Sequence, residues 1–450
     1  MRIDFDEGVW IEQIPTPSLG DHTYLVVAAG RAAVIDPQRD TARFGERLAA
    51  SGATLAVVAE THVHNDYVTG GPVLAAAHGA EYVLPVDSGA AVAHRPIGEH
   101  TAAIDLGDGW SLRAVATPGH TPHHVAYVLD GRHGPAAVFT GGSMLVGAVG
   151  RTDLVDPART EALTRDQHRS VRRLAAGLAD PVSVAPTHGA GSFCSASAAG
   201  ETTSTVGAER LRNPALLIDD EDHFVSAQIA GFLLHPAYYR HMAPINAAGP
   251  PPLPSDALPD PAPDALADPG TVVIDVRPAE QFAAAHVPGS VNIPFSDSVA
   301  TYAGWALRWN TPAILVGRTP GEVAETRLQL ARIGWDAVVG AFDDGLAAWT
   351  AAGNVPASYR VARWDDLRRE EPDLVLDVRD PGEATDRLPG ALAVHVASID
   401  PEALPAGEVW IHCATGFRAA IAASLLHAAG RSPILVVDAW SDYPGPRVTA

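Results

Sequence analysis

Two segments of this 450-residue chain repeat each other, and the repeat constrains the fold more than any other feature. Val272-Val273-Ile274-Asp275-Val276-Arg277 returns as Leu374-Val375-Leu376-Asp377-Val378-Arg379. His286-Val287-Pro288-Gly289-Ser290 returns as Arg387-Leu388-Pro389-Gly390-Ala391. Each copy then runs through an apolar strand, a loop and a helix that stops at glycine, from Ala313 to Gly334 and from Val409 to Gly430. Two copies spaced by a small-domain length predict tandem α/β domains, because a solenoid needs shorter and more numerous units. The expected bounds are 265–355 and 356–450. A proline-rich stretch over 247–264 precedes them and reads as a stiff linker. Residues 1–246 then form a domain of their own, in line with about three domains for this length.

In that first part, strands alternate with helices, which implies an α/β architecture. Residues 9–37 are strand-rich, with a hairpin signal at Gly30. Asp40 to Ala50 has helical apolar spacing and stops at Ser51-Gly52. Leu55 to Glu60, Glu81 to Val86, 111–117, 124–129 and 136–140 read as strands, and 157–177 as a long amphipathic helix. The hydrophobic share of 47% supplies ample core. A net charge of −22 argues against nucleic-acid and anionic-membrane surfaces. No apolar run reaches the roughly 18 residues of a membrane span. The acidic start lacks an apolar signal segment. Two cysteines, Cys194 and Cys413, exclude a disulfide framework and fit a reducing cytosol, so a cytoplasmic location is expected. Homo-oligomerisation is left open.

Chemistry concentrates at strand ends. Thr61-His62-Val63-His64-Asn65-Asp66-Tyr67 places two imidazoles and a carboxylate on one loop, donors that suit Zn or Fe. Thr117-Pro118-Gly119-His120-Thr121, Phe139-Thr140-Gly141-Gly142-Ser143, Gly150-Arg151-Thr152-Asp153 and Thr187-His188-Gly189 lie at other turns that could converge on one sheet edge. Cys194 follows His188 by six residues. It reads either as a pocket thiol able to carry a persulfide or as a small buried hydrophobe. His123, His124 and His133 read as surface or outer residues.

The second cysteine ends a strand, Val409-Trp410-Ile411-His412-Cys413. Ala414, Thr415, Gly416 and Phe417 turn it into a helix, and Arg418 adds positive charge. Loop amides and a helix N-terminus facing a sulfur suit a thiolate, a persulfide or a sulfur-bound anion. Counting back from Gly334 and Gly430 aligns Gly317 with Cys413 and Glu322 with Arg418, so the first copy is expected to be structural.

These motifs carry two resemblances. Thr-His-Val-His-Asn-Asp-Tyr, Thr-Pro-Gly-His-Thr and Gly-Arg-Thr-Asp resemble the metallo-β-lactamase fold family, in its persulfide dioxygenase and glyoxalase II branch. Cys-x-x-Gly-x-Arg with the upstream Asp-Val-Arg and Pro-Gly resembles the rhodanese family. The implied fold is a metallo-β-lactamase αββα sandwich followed by two rhodanese-like α/β domains with parallel sheets. The chain departs from the first family twice: Tyr67 stands for a histidine and Gly142 for an aspartate. A dinuclear zinc site would retain only Asp66 and His188 at its second metal. A two-histidine, one-carboxylate iron site would use His62, His120 and the missing carboxylate. His62, His64 and His120 remain a possible mononuclear zinc set. The ligand candidates are thus His62, His64, Asp66, His120 and His188, for one Zn or Fe ion or for none. The expected activity is sulfane-sulfur transfer through a Cys413 persulfide, with small persulfides, thiosulfate or thiols as substrates, coupled to a first domain that binds or oxidises such persulfides. The alternatives are a mononuclear-metal hydrolase and a non-catalytic sulfur carrier or sensor.

Overall fold

The computed structural model describes residues 1–189, 191–194, 201–261, 265–266 and 268–449. The chain divides into two compact units: Met1–Pro254 with Ala331–Gly334, and Ser255–Leu330 with Trp335–Ala450. The expected 247–264 linker straddles this division, and both repeat copies fall in the second unit apart from Ala331–Gly334 of the first copy.

The first unit holds two sheets. One orders β1 (Arg2–Asp6), β2 (Val9–Thr16), β3 (Asp21–Ala28), β4 (Arg31–Ile35), β5 (Thr54–Ala59), β6 (Glu81–Pro85) and β7 (Arg95–Ile97) in sequence. The other comprises β8 (Ile104–Gly107), β9 (Trp110–Ala116), β10 (Val125–Gly131) and β11 (Gly134–Gly141), then, beyond the short hairpin β12–β13 (Met144–Leu145, Ala148–Val149), β14 (Ser183–Pro186) and β15 (Ser204–Thr205). Period-two alternation sends Ile11, Tyr24, Val26 and Val57 from one sheet against Leu112, Tyr127, Leu129 and Phe139 from the other. Each such side chain contributes about 1.5–3 kcal/mol on burial. The opposite face of the first sheet is covered by α1 (Ala42–Ser51) and α2 (Gly71–His78) through Phe44, Leu48, Leu74 and Ala75. That of the second is covered by α3 (Thr160–Ala176), whose Val171 and Leu174 face Val128 and Val184. The order is therefore helix, sheet, sheet, helix. All eight residues of β3 are buried, as a strand covered on both faces requires.

Helix ends follow local chemistry. Gly52 ends α1 in the left-handed region at φ 69°. The Asp156 side chain accepts from the Ala158 amide where the chain turns into α3. The first unit continues through α4 (Val206–Arg212), α5 (Pro214–Leu217), α6 (Glu221–Ala230) and α7 (Tyr239–Ala248).

The second unit contains two parallel sheets with matching order. The first places β17 (Val291–Asn292) beside β16 (Val272–Asp275), then β18 (Ala313–Val316) and β19 (Val338–Phe342). The other places β23 (Leu392–Ala393) beside β21 (Val375–Asp377), then β24 (Glu408–His412), β25 (Ser432–Val436) and β20 (Arg360–Ala362). Asp275 registers with Val316, and Asp377 with His412. Gly317 therefore stands where Cys413 stands, independently of the sequence count. Among the described residues, no helix is long and apolar enough to cross a membrane.

Candidate functional site

The first centre forms where strands of both sheets end. The loop after β5 delivers His62, His64 and Asp66, the loop after β9 delivers His120, and the loop after β14 delivers His188 and Cys194. All six are buried. Three of the histidines are held alike. His120 Nδ1–H donates to the Arg151 carbonyl at 2.6 Å. His188 Nδ1 lies 2.9 Å from Asp21 Oδ1. Thr61 spends its hydroxyl proton on Asp36 Oδ2 at 2.8 Å, so its 2.9 Å contact with His62 Nδ1 makes the ring the donor. Each ring thus has its Nδ1 proton engaged, and its Nε2 is buried without a partner. An outer partner on one nitrogen and an unpartnered second nitrogen is the arrangement of a metal-ligating imidazole.

His64 is held differently. Its Nε2 stands 3.2 Å from both Asp36 Oδ1 and Glu60 Oε2, leaving Nδ1 toward the Asp66 side at 3.8 Å. Potential ligand atoms lie within 4.8 Å of one another in the sets His62–His64–His188, His120–His188–Cys194, Asp21–Asp66–His188 and Asp36–Glu60–His64. His188 belongs to three of these. The residues present therefore fit a divalent ion.

Burial and mutual charge set the protonation here. Burial, with the charge of Asp36 adding to it, lifts Glu60 to about 7 against the opposing pull of His64. Burial pulls His64 down, but Asp36 and Glu60 outweigh it and raise it well above the usual imidazole range. His188 is likewise opposed by burial, and Asp66 and Asp21 raise it to about 9. Burial drives His120 down to about 3, with the charge of His188 adding to it. Asp66 is held low against burial by His188 and His64.

Both departures from the family pattern have a physical counterpart. Tyr67 stacks on the His64 ring at 4.4 Å and donates to the Asp36 carbonyl at 3.3 Å, so its oxygen is not aimed at the imidazole cluster. Gly142 packs under the His120 ring: a Cβ there would meet His120 Cδ2 at 2.2 Å. An aspartate at 142 does not fit unless His120 moves. The Gly142 amide donates to His124 Nε2 at 3.0 Å, and His124 stacks on His62. His124 is buried, which fits the outer rather than the surface reading, while His123 beside it is exposed. Asp153 is paired with Arg151 at 2.7 Å. Asp36, Glu60 and Asp21 did not stand out as functional in the sequence, where they are single acids at strand ends. The loops carrying the ligands also border a cavity of about 530 Å³, lined by Val63, Asn65, Thr121 and His123 and flanked by Arg159 and Arg240.

The second centre is Cys413, after β24. Its Sγ accepts from the Ala419 amide at 3.4 Å, in the first turn of α13 (Phe417–Ala428). Gly416 caps this helix at φ 84°. The thiol is buried. Arg418, expected to add positive charge at the sulfur, has its guanidinium paired with Asp380 and, at 2.6 Å, with Glu383. Phe417 meets Tyr302 edge-on at 5.1 Å, which brings α9 (Val299–Ala306) of the first copy against the thiol loop. Gly317 in the first copy carries no thiol. The Glu322 carboxylate there accepts from the Arg318 amide and side chain, both at 2.9 Å, and so occupies its own loop.

A profile of the rhodanese-like domain family matches residues 258–352. Persulfide dioxygenase ETHE1, mitochondrial, of Mus musculus is 31% identical over 225 residues, which cover 48% of this chain and 78% of that protein. Hydroxyacylglutathione hydrolase of Alkalilimnicola ehrlichii is 35% identical over 144 residues, 31% of this chain and 54% of that protein, so the chain spans about half the length of this relative. Among solved structures, a metallo-beta-lactamase from Staphylococcus aureus subsp. aureus COL aligns with a TM-score of 0.67 at 26% identity, over 74% of this chain and 99% of that one.

Proposed function

We propose a sulfur-handling function from the premise that the chain belongs to the persulfide dioxygenase family, with a metallo-β-lactamase fold in its first unit and a rhodanese-like domain in its second. The chain is a sulfurtransferase that works through Cys413, and its first domain takes small persulfides. The division into domains at 1–246, 265–355 and 356–450 belongs to this proposal, as does the assignment of the site residues.

The observation that carries the reading is the seat of Cys413 Sγ, at a strand end and against an amide in the first turn of a helix. Such a seat suits a sulfur anion. Cys413 thiolate attacks the outer sulfur of thiosulfate. A new S–S bond forms, the old one breaks, and sulfite leaves with the electron pair. The terminal sulfur of the resulting persulfide then passes to a thiol or to cyanide, and the thiolate returns. The amides of the 414–419 turn bind the anionic donor and the terminal sulfur. Arg418, held by Asp380 and Glu383, shapes that loop and moderates its charge.

In the first domain, His62, His64, Asp66, His120 and His188 would hold one Zn or Fe ion, which supplies Lewis acidity toward a bound sulfur or oxygen atom. The chain's own part is to orient three imidazoles through Thr61, Arg151 and Asp21. Arg159 and Arg240 suit the carboxylates of a glutathione-like persulfide in the adjoining cavity. The likeness to hydroxyacylglutathione hydrolase favours a second reading of this domain, thioester hydrolysis. Oxygen uptake with glutathione persulfide distinguishes oxidation from thioester cleavage. For the transferase, thiocyanate formation from thiosulfate and cyanide is expected from the wild type and absent from Cys413→Ser. Equal rates in the two proteins would sink the assignment.

A further inference from the structure

An ion held by His120 and His188 would meet imidazole nitrogens and no carboxylate at position 142, where Gly142 stands in place of the family's aspartate. A divalent ion favours an anionic ligand there. Residue 142 cannot supply one, because the His120 ring lies against it.

Asp66 is already engaged with His188 at 3.2 Å, and Cys194 is a second group beside these imidazoles that can become an anion. Cys194 Sγ lies within 4.8 Å of ligand atoms of His120 and His188. A tetrahedral ion with bonds of about 2.0–2.3 Å spaces its ligand atoms about 3.5 Å apart, inside that limit. Both imidazoles offer an Nε2 that is buried and unpartnered. The placement of the thiol is also tied to that of His120. The Arg151 carbonyl takes the His120 Nδ1 proton. The Arg151 amide donates to the Cys194 carbonyl at 2.9 Å. The Arg151 guanidinium donates to the Phe193 carbonyl at 3.2 Å. One residue therefore positions the imidazole and the cysteine segment together, as an outer partner does for a pair of ligands.

We infer that Cys194 is the anionic ligand of the metal centre, its thiolate joining His120 and His188 in place of the carboxylate lost at position 142. This rests on the reading that the first domain binds a metal. The sulfur donor selects a borderline cation, zinc or ferrous iron, over a hard one such as magnesium. Binding releases the Cys194 proton to solvent and forms a metal–sulfur bond with no change of oxidation state. His62 or Asp66 completes the set, leaving room for a substrate sulfur.

The test uses the full chain loaded with Co²⁺. Wild type and Cys413→Ser are expected to show an intense near-ultraviolet sulfur-to-cobalt charge-transfer band, and Cys194→Ser to lack it. Cys194→Ser should also bind Co²⁺ more weakly by more than the roughly 10–100-fold typical for loss of an outer partner. A far-ultraviolet circular-dichroism spectrum and thermal melt matching the wild type report that the first unit of this variant is folded, and the wild-type band needs no variant. Cobalt bound without the band, or a band that vanishes only in Cys413→Ser, overturns the inference while the metal reading stands. Failure of the wild type to bind Co²⁺, Zn²⁺ or Fe²⁺ overturns both.

Discussion

The two parallel sheets of the second unit share a strand order and a buried ion pair, yet their loops end in opposite chemistry. Asp275 receives Arg277 Nε at 3.0 Å, and Asp377 receives Arg379 Nε at the same distance. Where the second copy has Cys413 and Arg418, the first has Gly317 and Glu322. Glu322 accepts from a loop amide and closes the loop on itself. A scaffold that positions amides around an anion is kept in both copies. In one the anion is the protein's own carboxylate. In the other the amides face a sulfur. The frame therefore does not determine the chemistry; two side chains decide it.

The sharpest way to break this comparison is to exchange those side chains. Cys413→Gly with Arg418→Glu should reduce thiocyanate formation to the uncatalysed level. Gly317→Cys in the Cys413→Ser background should restore none of it, because Glu322 still fills the loop. Any turnover from that variant would show that the first copy is not closed.

The next largest effect concerns His412, whose counterpart in the first copy is Val316. Burial lowers His412 to about 4, while it takes its proton near 6.5 when unfolded. Between these values the unfolded state binds more protons, so stability is complete above about pH 6.5 and falls as pH drops toward 4. The loss reaches about 3 kcal/mol. Denaturation at pH 7 and pH 5 should show a flatter dependence in His412→Val.

Glu322→Ala should destabilise the second unit by about 1–2 kcal/mol, because the Arg318 amide loses a charged acceptor. Denaturant midpoints check this, and thiosulfate turnover should not change. The smallest effect is expected from Glu383→Gln. Removing one of the two carboxylates that hold Arg418 frees positive charge at the loop, worth about 0.5–1 kcal/mol. The KM for thiosulfate should fall a few-fold. A rise would mean that Glu383 serves only to hold the loop.

Much of this was legible because it is local. The Cys413 turn, the repeat and the Thr61–Tyr67 loop each lie within a few residues, and their strand-end positions follow from apolar patterning. The partners that give these groups their state were not legible. Asp36 and Glu60 each end a strand, and only the parallel pairing of β4 with β5 sets both against His64. The neutralisation of Arg418 depends on Asp380 and Glu383, 38 and 35 positions upstream in sequence, a separation that local spacing does not register. The consequence of Gly142 was also hidden. A missing carboxylate reads in sequence as a gap, whereas here the His120 ring fills it.

That filling has a consequence for any change at position 142. With an imidazole settled against Gly142, a single substitution there does not place a carboxylate, because the new side chain would have to displace a residue placed by Arg151 and Gln167. Restoration needs coordinated changes, and each alone passes through a worse-packed intermediate. A carboxylate for the metal centre is therefore reached more directly from elsewhere in its wall than from position 142.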